Sequence, residues 1–451
     1  MRSKTKGIYA AGKDVSQLWN AMHRFNPDEQ QIVAVSGEGS WFTDSAGNRY
    51  LDGVSGLWCL NLGHGRQEII DAAAEQMKNL TYSPLTMNHP PAMKLAGKIS
   101  DLLGGDYQTF FSNSGSEANE TAFKIARQYH NQTGNPGKYK VISRYRGYHG
   151  STLGALSATA QANRRVKYDP GVPGFLHVYP PYSYRSLFGG DPEASDLKAA
   201  QLVEEMINWE GGETVAAFIM EPFISGGGVI IPSIKYIQRI AEICKKYNVL
   251  LIMDEVVSGY GRTGKMFGFL HAEGVQPDIV TMAKGLTSGY LPLGATAVKS
   301  NIYSVFKEKG KDNHLRHIST YGGHPASCAV ALKNIEIIER ENIMERVSKL
   351  GELKLGKLHQ LIECENVGEV RQIGFLLGLE MVTDKESKVP LNDISMNEII
   401  GACKKKGLIV GRNGDTVPGY NNVIIVAPPL TSTEEDLDFL VDTLCSVIRN
   451  L

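Results

Sequence analysis

Apolar and polar positions alternate along this chain in two different rhythms. Between residues 61 and 325, short strand-like segments at 107–111, 140–143, 215–220, 249–253 and 279–283, the last three largely apolar, are separated by segments of helical period. That alternation predicts strands joined by crossover helices, hence a mostly parallel α/β sheet. Helices are predicted at 67–78, 91–103, from about 115 to 130, and at 233–247. The stretch 166–192, rich in Gly, Pro and Tyr, reads as a long loop over the carboxyl ends of the strands. Outside that middle the rhythm changes. A helix at 15–25 capped by Asp14 precedes a small antiparallel unit at 32–35, 41–44 and 49–52, turning at 45–48. The tail mixes helices at 326–341, 343–362, 397–406 and 433–449 with strands at 376–382, 408–410 and 423–426. Residues 1–60 and 326–451 are therefore read as two parts of a small α+β domain, and 61–325 as the large one.

Chemistry gathers where the apolar runs stop. The run 249–253 ends in Asp254-Glu255, the run 279–283 in Lys284-Gly285, and the run 215–220 in Glu221-Pro222. Ligands of an open parallel sheet sit beyond the carboxyl ends of its strands, so these groups are predicted to share one rim. An acid and an amine 30 positions apart suit pyridoxal 5′-phosphate. There a lysine holds the aldehyde as a Schiff base and a carboxylate keeps the pyridine nitrogen protonated. A strand, Ser112-Asn113-Ser114-Gly115-Ser116-Glu117-Ala118-Asn119 and a helix start together make an anion site, with Ser114, Gly115 and Ser116 as phosphate candidates. Arg146-Gly147-Tyr148-His149-Gly150 brings an aromatic and an imidazole to another strand end, where Tyr148 suits either a flat ring or a turn. Trp58, Trp19 and Arg412 are the substrate-side candidates. Trp58 fits a core as well as a site, and an arginine at 412 fits a carboxylate clamp or a surface loop. Gly259-x-Gly261-x-x-Gly264 matches the dinucleotide pattern in form only, because five residues separate it from the preceding strand and no clear helix follows.

Composition narrows the class without choosing the chemistry. The 451 residues suffice for two or three domains, and 42% hydrophobic with 21% charged residues is ordinary for a globular chain. A net charge of −1 gives no reason to expect nucleic acid or a membrane surface. Six scattered cysteines without a C-x-x-C pair predict reduced thiols and no metal site. With no signal-peptide pattern and no membrane-length apolar run, the expected location is cytoplasmic.

The ordered set Ser114–Asn119, Tyr148-His149-Gly150, Glu221-Pro222, Asp254-Glu255-Val256, Gly261-Arg262-Thr263-Gly264 and Ala283-Lys284-Gly285 resembles the class III aminotransferases. These are fold-type I pyridoxal-phosphate enzymes, the resemblance covers nearly the whole chain, and it implies a mostly parallel seven-stranded sheet flanked by helices. It implies Lys284 as Schiff-base lysine and proton shuttle, Asp254 on the pyridine nitrogen, and Val256 and Tyr148 against the ring faces. It also implies phosphate contacts from Gly115 and Ser116, and from Thr320 of a second subunit in a homodimer or homotetramer; His149 and Glu221 join the cofactor set. Ser55-Gly56-Leu57-Trp58, Tyr148 and a mobile Arg412 resemble the ω-amino acid or amine:pyruvate branch. The substrates implied are an amine donor such as taurine or β-alanine and a keto acid acceptor. The biotin-pathway diamino acid aminotransferases share this core, and aminomutases, decarboxylases and non-catalytic cofactor binders are the other readings.

Overall fold

The structure is a computed structural model and describes residues 18–22, 31–309, 312–414 and 416–451. Its first sheet joins the two ends of the chain. Strands β1 (Ala34–Glu38), β2 (Trp41–Asp44) and β3 (Arg49–Asp52) run antiparallel, and the late strand Leu408–Ile409 adds to β3 in parallel. Asp44 closes the β2–β3 turn by accepting from the backbone of Ala46 and Asn48, the use to which turn aspartates are suited.

The central sheet follows. Its strands are β4 (Tyr107–Ser112), β5 (Lys140–Arg144), β6 (Phe175–Val178), β7 (Val215–Met220), β8 (Leu250–Asp254), β9 (Ile279–Met282) and β10 (Gly294–Lys299). They lie in the order β4-β10-β9-β8-β7-β5-β6, parallel except for β10, which is antiparallel to both neighbours. Every residue of β7, β8 and β9 is buried, as a sheet covered on both faces requires. The helix Ile234–Lys246 shows how one cover is specified. Ser233 caps it by accepting from the Tyr236 amide, and Tyr236, Ile237, Ile240, Ile243 and Cys244 form its buried face.

A third sheet carries the tail: β11 (Val367–Ile373), β12 (Leu376–Met381), β14 (Gly411–Arg412) and β15 (Val423–Val426), ordered β11-β12-β15-β14, with β13 being Leu408–Ile409 of the first sheet. Among the described residues no helix is long and apolar enough to cross a membrane, and all six cysteines are free thiols.

Several elements depart from the sequence-based expectation, among them the unforeseen helix Pro192–Glu210 and strand β11. The 166–192 loop contains β6, which pairs with β5 and packs Phe175 edge-on against Phe123 at 5.1 Å. Only four residues long, that strand has too short an apolar pattern to stand out. β10, Gly-Ala-Thr-Ala-Val-Lys, is built of small residues because Gly294 passes the phosphate-loop backbone so closely that a Cβ would lie 2.3 Å from the Ser114 carbonyl oxygen. The expected helix 343–362 is Ile343–Leu353 followed by a 3₁₀ stretch, Leu355–Glu363. Of the expected helix 15–25, Leu18–Met22 is open chain ending in a turn, and the rest, with Asp14, lies outside the described residues.

Candidate active site

β7, β8 and β9 are adjacent and parallel, with Met220 opposite Met253 and Asp254 opposite Thr281. Glu221, Asp254 and Lys284 therefore leave the same end of three neighbouring strands. Asp254 is 3% exposed and fully hydrogen-bonded. Its Oδ2 accepts from Asn119 Nδ2 at 2.9 Å and His149 Nδ1 at 2.8 Å, and its Oδ1 from the Val256 amide at 3.1 Å. Asn119 is itself set: its Oδ1 accepts from Thr281 Oγ1 at 2.7 Å, and its Nδ2 also reaches the His149 carbonyl. Its amide is thereby turned so that the NH2 meets the carboxylate.

Glu221, one strand over, accepts from the amides of Tyr148 (3.1 Å) and Ser225 (3.0 Å). Burial raises its pKa, opposed by His149 and reinforced by Asp254. Glu255 turns away from this rim, accepting from Ser258 Oγ and the amides of Gly268 and Phe269. Burial pushes its carboxyl up to about 7.

Lys284 is half-buried, with a left-handed backbone at φ 42°. Such a conformation is strained for a side-chain-bearing residue and persists where the surroundings enforce it. Burial lowers its amine pKa; Asp254, Cys59 and Glu221 oppose that shift, and Arg164 adds to it. Its Nζ lies 5.4 Å from the centre of the half-buried Trp58 ring. Trp58 Nε1 is buried and has no hydrogen-bond partner among the described residues.

The proposed phosphate loop caps the helix Gly115–Gln132. Ser114 Oγ accepts from the Glu117 amide at 3.2 Å, and Ser116 Oγ from the Ser151 amide at 3.1 Å. Gly115 sits against Val256, where a Cβ would come within 2.9 Å of Cγ2. Ser319 binds Asn113 and Glu117 beside this loop within the same chain, while Thr320 is exposed and offers its carbonyl to Tyr82. Tyr148 is half-buried, with the Arg164 guanidinium over its ring at 5.0 Å.

Two candidates are placed apart from these groups. Arg412, on β14, donates to Asp393, to Asn397 at 3.1 Å and to the Asn421 carbonyl. Trp19 is 95% exposed. Sequence reasoning did not single out the roles of Asn119, Thr281, Cys59 or Arg164. Asn119 stands one helical turn beyond Ser116 and reaches Asp254 only because the helix crosses the sheet there. The Gly259–Gly264 loop has a different use from the dinucleotide pattern it imitates. Its fully buried Arg262 donates to the carbonyls of Phe375 and Pro428, to Ser55 Oγ and to Asn61 Oδ1, tying the loop to both ends of the chain.

This donor set fits pyridoxal phosphate. A desolvated amine faces a fixed carboxylate, and a helix start lies beside them with a glycine where the backbone must come close. Comparison with known proteins agrees. The family model described as Aminotransferase class-III matches residues 24–448, and the chain belongs to that family of pyridoxal-phosphate-dependent enzymes of fold type I. It is 52% identical over 432 residues to the uncharacterized aminotransferase YhxA of Bacillus subtilis, covering 96% of this chain and 95% of that one. It is 41% identical over 434 residues to the taurine–pyruvate aminotransferase of Bilophila wadsworthia, covering 95% and 94%. The solved PLP-bound amine transaminase from an uncultivated Pseudomonas species superimposes with a TM-score of 0.92 at 34% identity, covering 96% and 99%.

Proposed function

We propose that this enzyme moves the amino group of an ω-amino acid or primary amine, of the taurine or β-alanine kind, to a keto acid, pyruvate, in two half-reactions. The observation that carries the reading is the desolvated Lys284 amine facing Asp254 and Glu221 at the carboxyl ends of adjacent strands. Pyridoxal phosphate, when bound, supplies the aldehyde that accepts the amino group and the ring that takes up electron density. The chain's own groups do the rest. Asp254, fixed by His149, Asn119 and the Val256 amide, would keep the pyridine nitrogen protonated. Ser114, Gly115 and Ser116 would hold the phosphate, and Tyr148 and Val256 would pack the ring. Lys284 Nζ, whose pKa burial lowers, would move a proton between the amine-bearing carbon of the donor and the cofactor in the first half-reaction, and from the cofactor to the acceptor-derived carbon in the second. Taurine as donor is supported by the taurine–pyruvate relative.

In the same reading Thr320 completes the phosphate site of a second subunit in a homodimer. Its exposure on a segment adjoining the loop supports that assignment. The division into 1–60, 61–325 and 326–451 follows the sharing of one sheet by the two ends of the chain. The experiment is an absorbance titration of the loaded enzyme with taurine, β-alanine, an arylalkyl amine and diaminopelargonic acid. Loss of the visible cofactor band with taurine or β-alanine, and its return on adding pyruvate, is the expected result. A response to diaminopelargonic acid alone would replace the substrate assignment, and silence with every amine would end the amino-transfer reading.

A further inference from the structure

An ω-amino acid carries its anionic group at the end opposite its amine, and the rim it enters is already acidic. Asp254 and Glu221 stand at the ends of the next two strands beside the one that leads into Lys284, so a carboxylate or sulfonate brought among them is repelled unless a cation faces it. Arg144, Arg146, Arg412 and Arg164 stand in this part of the fold besides the reactive lysine; Arg144 is buried and donates to the Glu221 carbonyl. Arg146 is 8% exposed, stacked between the rings of Tyr182 at 5.0 Å and Tyr420 at 5.5 Å, and bonded to the Gly227 carbonyl. Arg412 has its Nε and both terminal nitrogens committed to Asn421, Asn397 and Asp393.

Arg164 differs from the other three. Its guanidinium lies over Tyr148 at 5.0 Å, and its Nε donates to Gln161 Oε1 at 2.9 Å. Gln161 is buried and braced in turn by donating to the Arg146 carbonyl at 2.9 Å. One terminal nitrogen meets only the weak acceptor Met22 Sδ at 3.6 Å. Among the described residues the other has no acceptor, and no carboxylate pairs with Arg164. An arginine without an ion pair ordinarily extends into water; this one lies over an aromatic ring and is fastened through Nε, with its terminal edge open among the described residues. Its charge also acts on the Lys284 amine, adding to the lowering of that pKa by burial.

We propose that Arg164 receives the anionic end, carboxylate or sulfonate, of an ω-amino acid donor. The proposal rests on the amino-transfer reading above, and it makes Arg164 a specificity residue for the donor. A planar fork held in one orientation suits either anion by paired N–H···O bonds.

The test follows the donor half-reaction of the loaded enzyme by absorbance in wild type, Arg164→Gln, Arg164→Lys and Arg412→Gln, with β-alanine, taurine and propylamine. In Arg164→Gln the half-saturating concentrations of β-alanine and taurine should rise ~10- to 100-fold, the loss expected for one charge-assisted contact in a partly desolvated site. Propylamine, which has no anionic end, should change by less than about threefold. Arg164→Lys should fall between, keeping the charge and losing the fork. A loss confined to β-alanine or to taurine would support the proposal for that anion alone. It is overturned if Arg164→Gln weakens all three donors equally, which is what a merely structural arginine does, or if it weakens none. It is also overturned if the loss follows Arg412→Gln and spares Arg164→Gln, or if wild type consumes propylamine and neither anionic donor. A wild type silent with propylamine as well marks failure of the amino-transfer reading, and the proposal falls with it.

Discussion

At the scale of single residues, the site is a set of charges whose states are chosen by their surroundings. Lys284→Ala should cut turnover ~1,000-fold or more while the variant still retains cofactor through dialysis; a steady-state rate near wild type would sink the assignment. Asn119→Ala removes one donor from Asp254 and strands Thr281 Oγ1 and the His149 carbonyl. It should cost ~1–3 kcal/mol of stability and shift the pH titration of the bound cofactor's spectrum. A stability loss with an unmoved spectral titration would mean that Asn119 does not act through Asp254. Glu255 gives a prediction whose sign can be worked out. Its folded pKa of about 7 lies above the ordinary 4.5, so below both values it contributes no penalty, and across that window the folded state binds the extra proton. Folding therefore loses up to ~3 kcal/mol from this group as pH rises from about 4.5 to 7. Glu255→Gln should accordingly gain melting temperature relative to wild type as pH is raised from 5 to 7.5, and parallel profiles would refute the shift.

At the scale of elements, close approach of backbones matters more than propensity. Gly115 lies where a helix start meets Val256 at the edge of β8. Gly115→Ala should weaken cofactor retention while costing ~1–3 kcal/mol of stability, the usual range for overpacking; an unchanged affinity would remove the glycine from the phosphate site. Arg262 performs the same office between elements, serving four acceptors from the two ends of the chain. Of the strands that the sequence pattern located, β7, β8 and β9 are buried on both faces, as their largely apolar runs require. β6 and β10 escaped because one is four residues long and the other is made of small residues. Their place is decided by pairing with β5, β4 and β9, contacts remote in sequence.

At the scale of the whole molecule, the two ends of the chain and the central sheet are locked by buried charge. Glu380 of β12 accepts from Arg371, Arg185, Tyr182 and Asn422, and these cations hold its carboxyl at about 2. If Thr320 acts across a dimer, mixing Lys284→Ala chains with Thr320→Ala chains should restore one intact site per hybrid and, with it, wild-type cofactor affinity at that site. An affinity no better than the Thr320→Ala homodimer would confine the residue to its own chain. The order of the motifs and the abrupt acid or amine at each strand end were legible from the sequence, because strand ends follow from where apolar runs stop. So was the parallel sheet that points those ends the same way. Which neighbours those groups would meet was not legible. That Asn119 and His149 would share one carboxylate oxygen, that Arg412 would turn to Asp393, and that Arg164 would lie over Tyr148 were all decided by contacts between residues 16 to 135 positions apart. A side chain's partners depend on such distances in space, and local pattern carries no record of them.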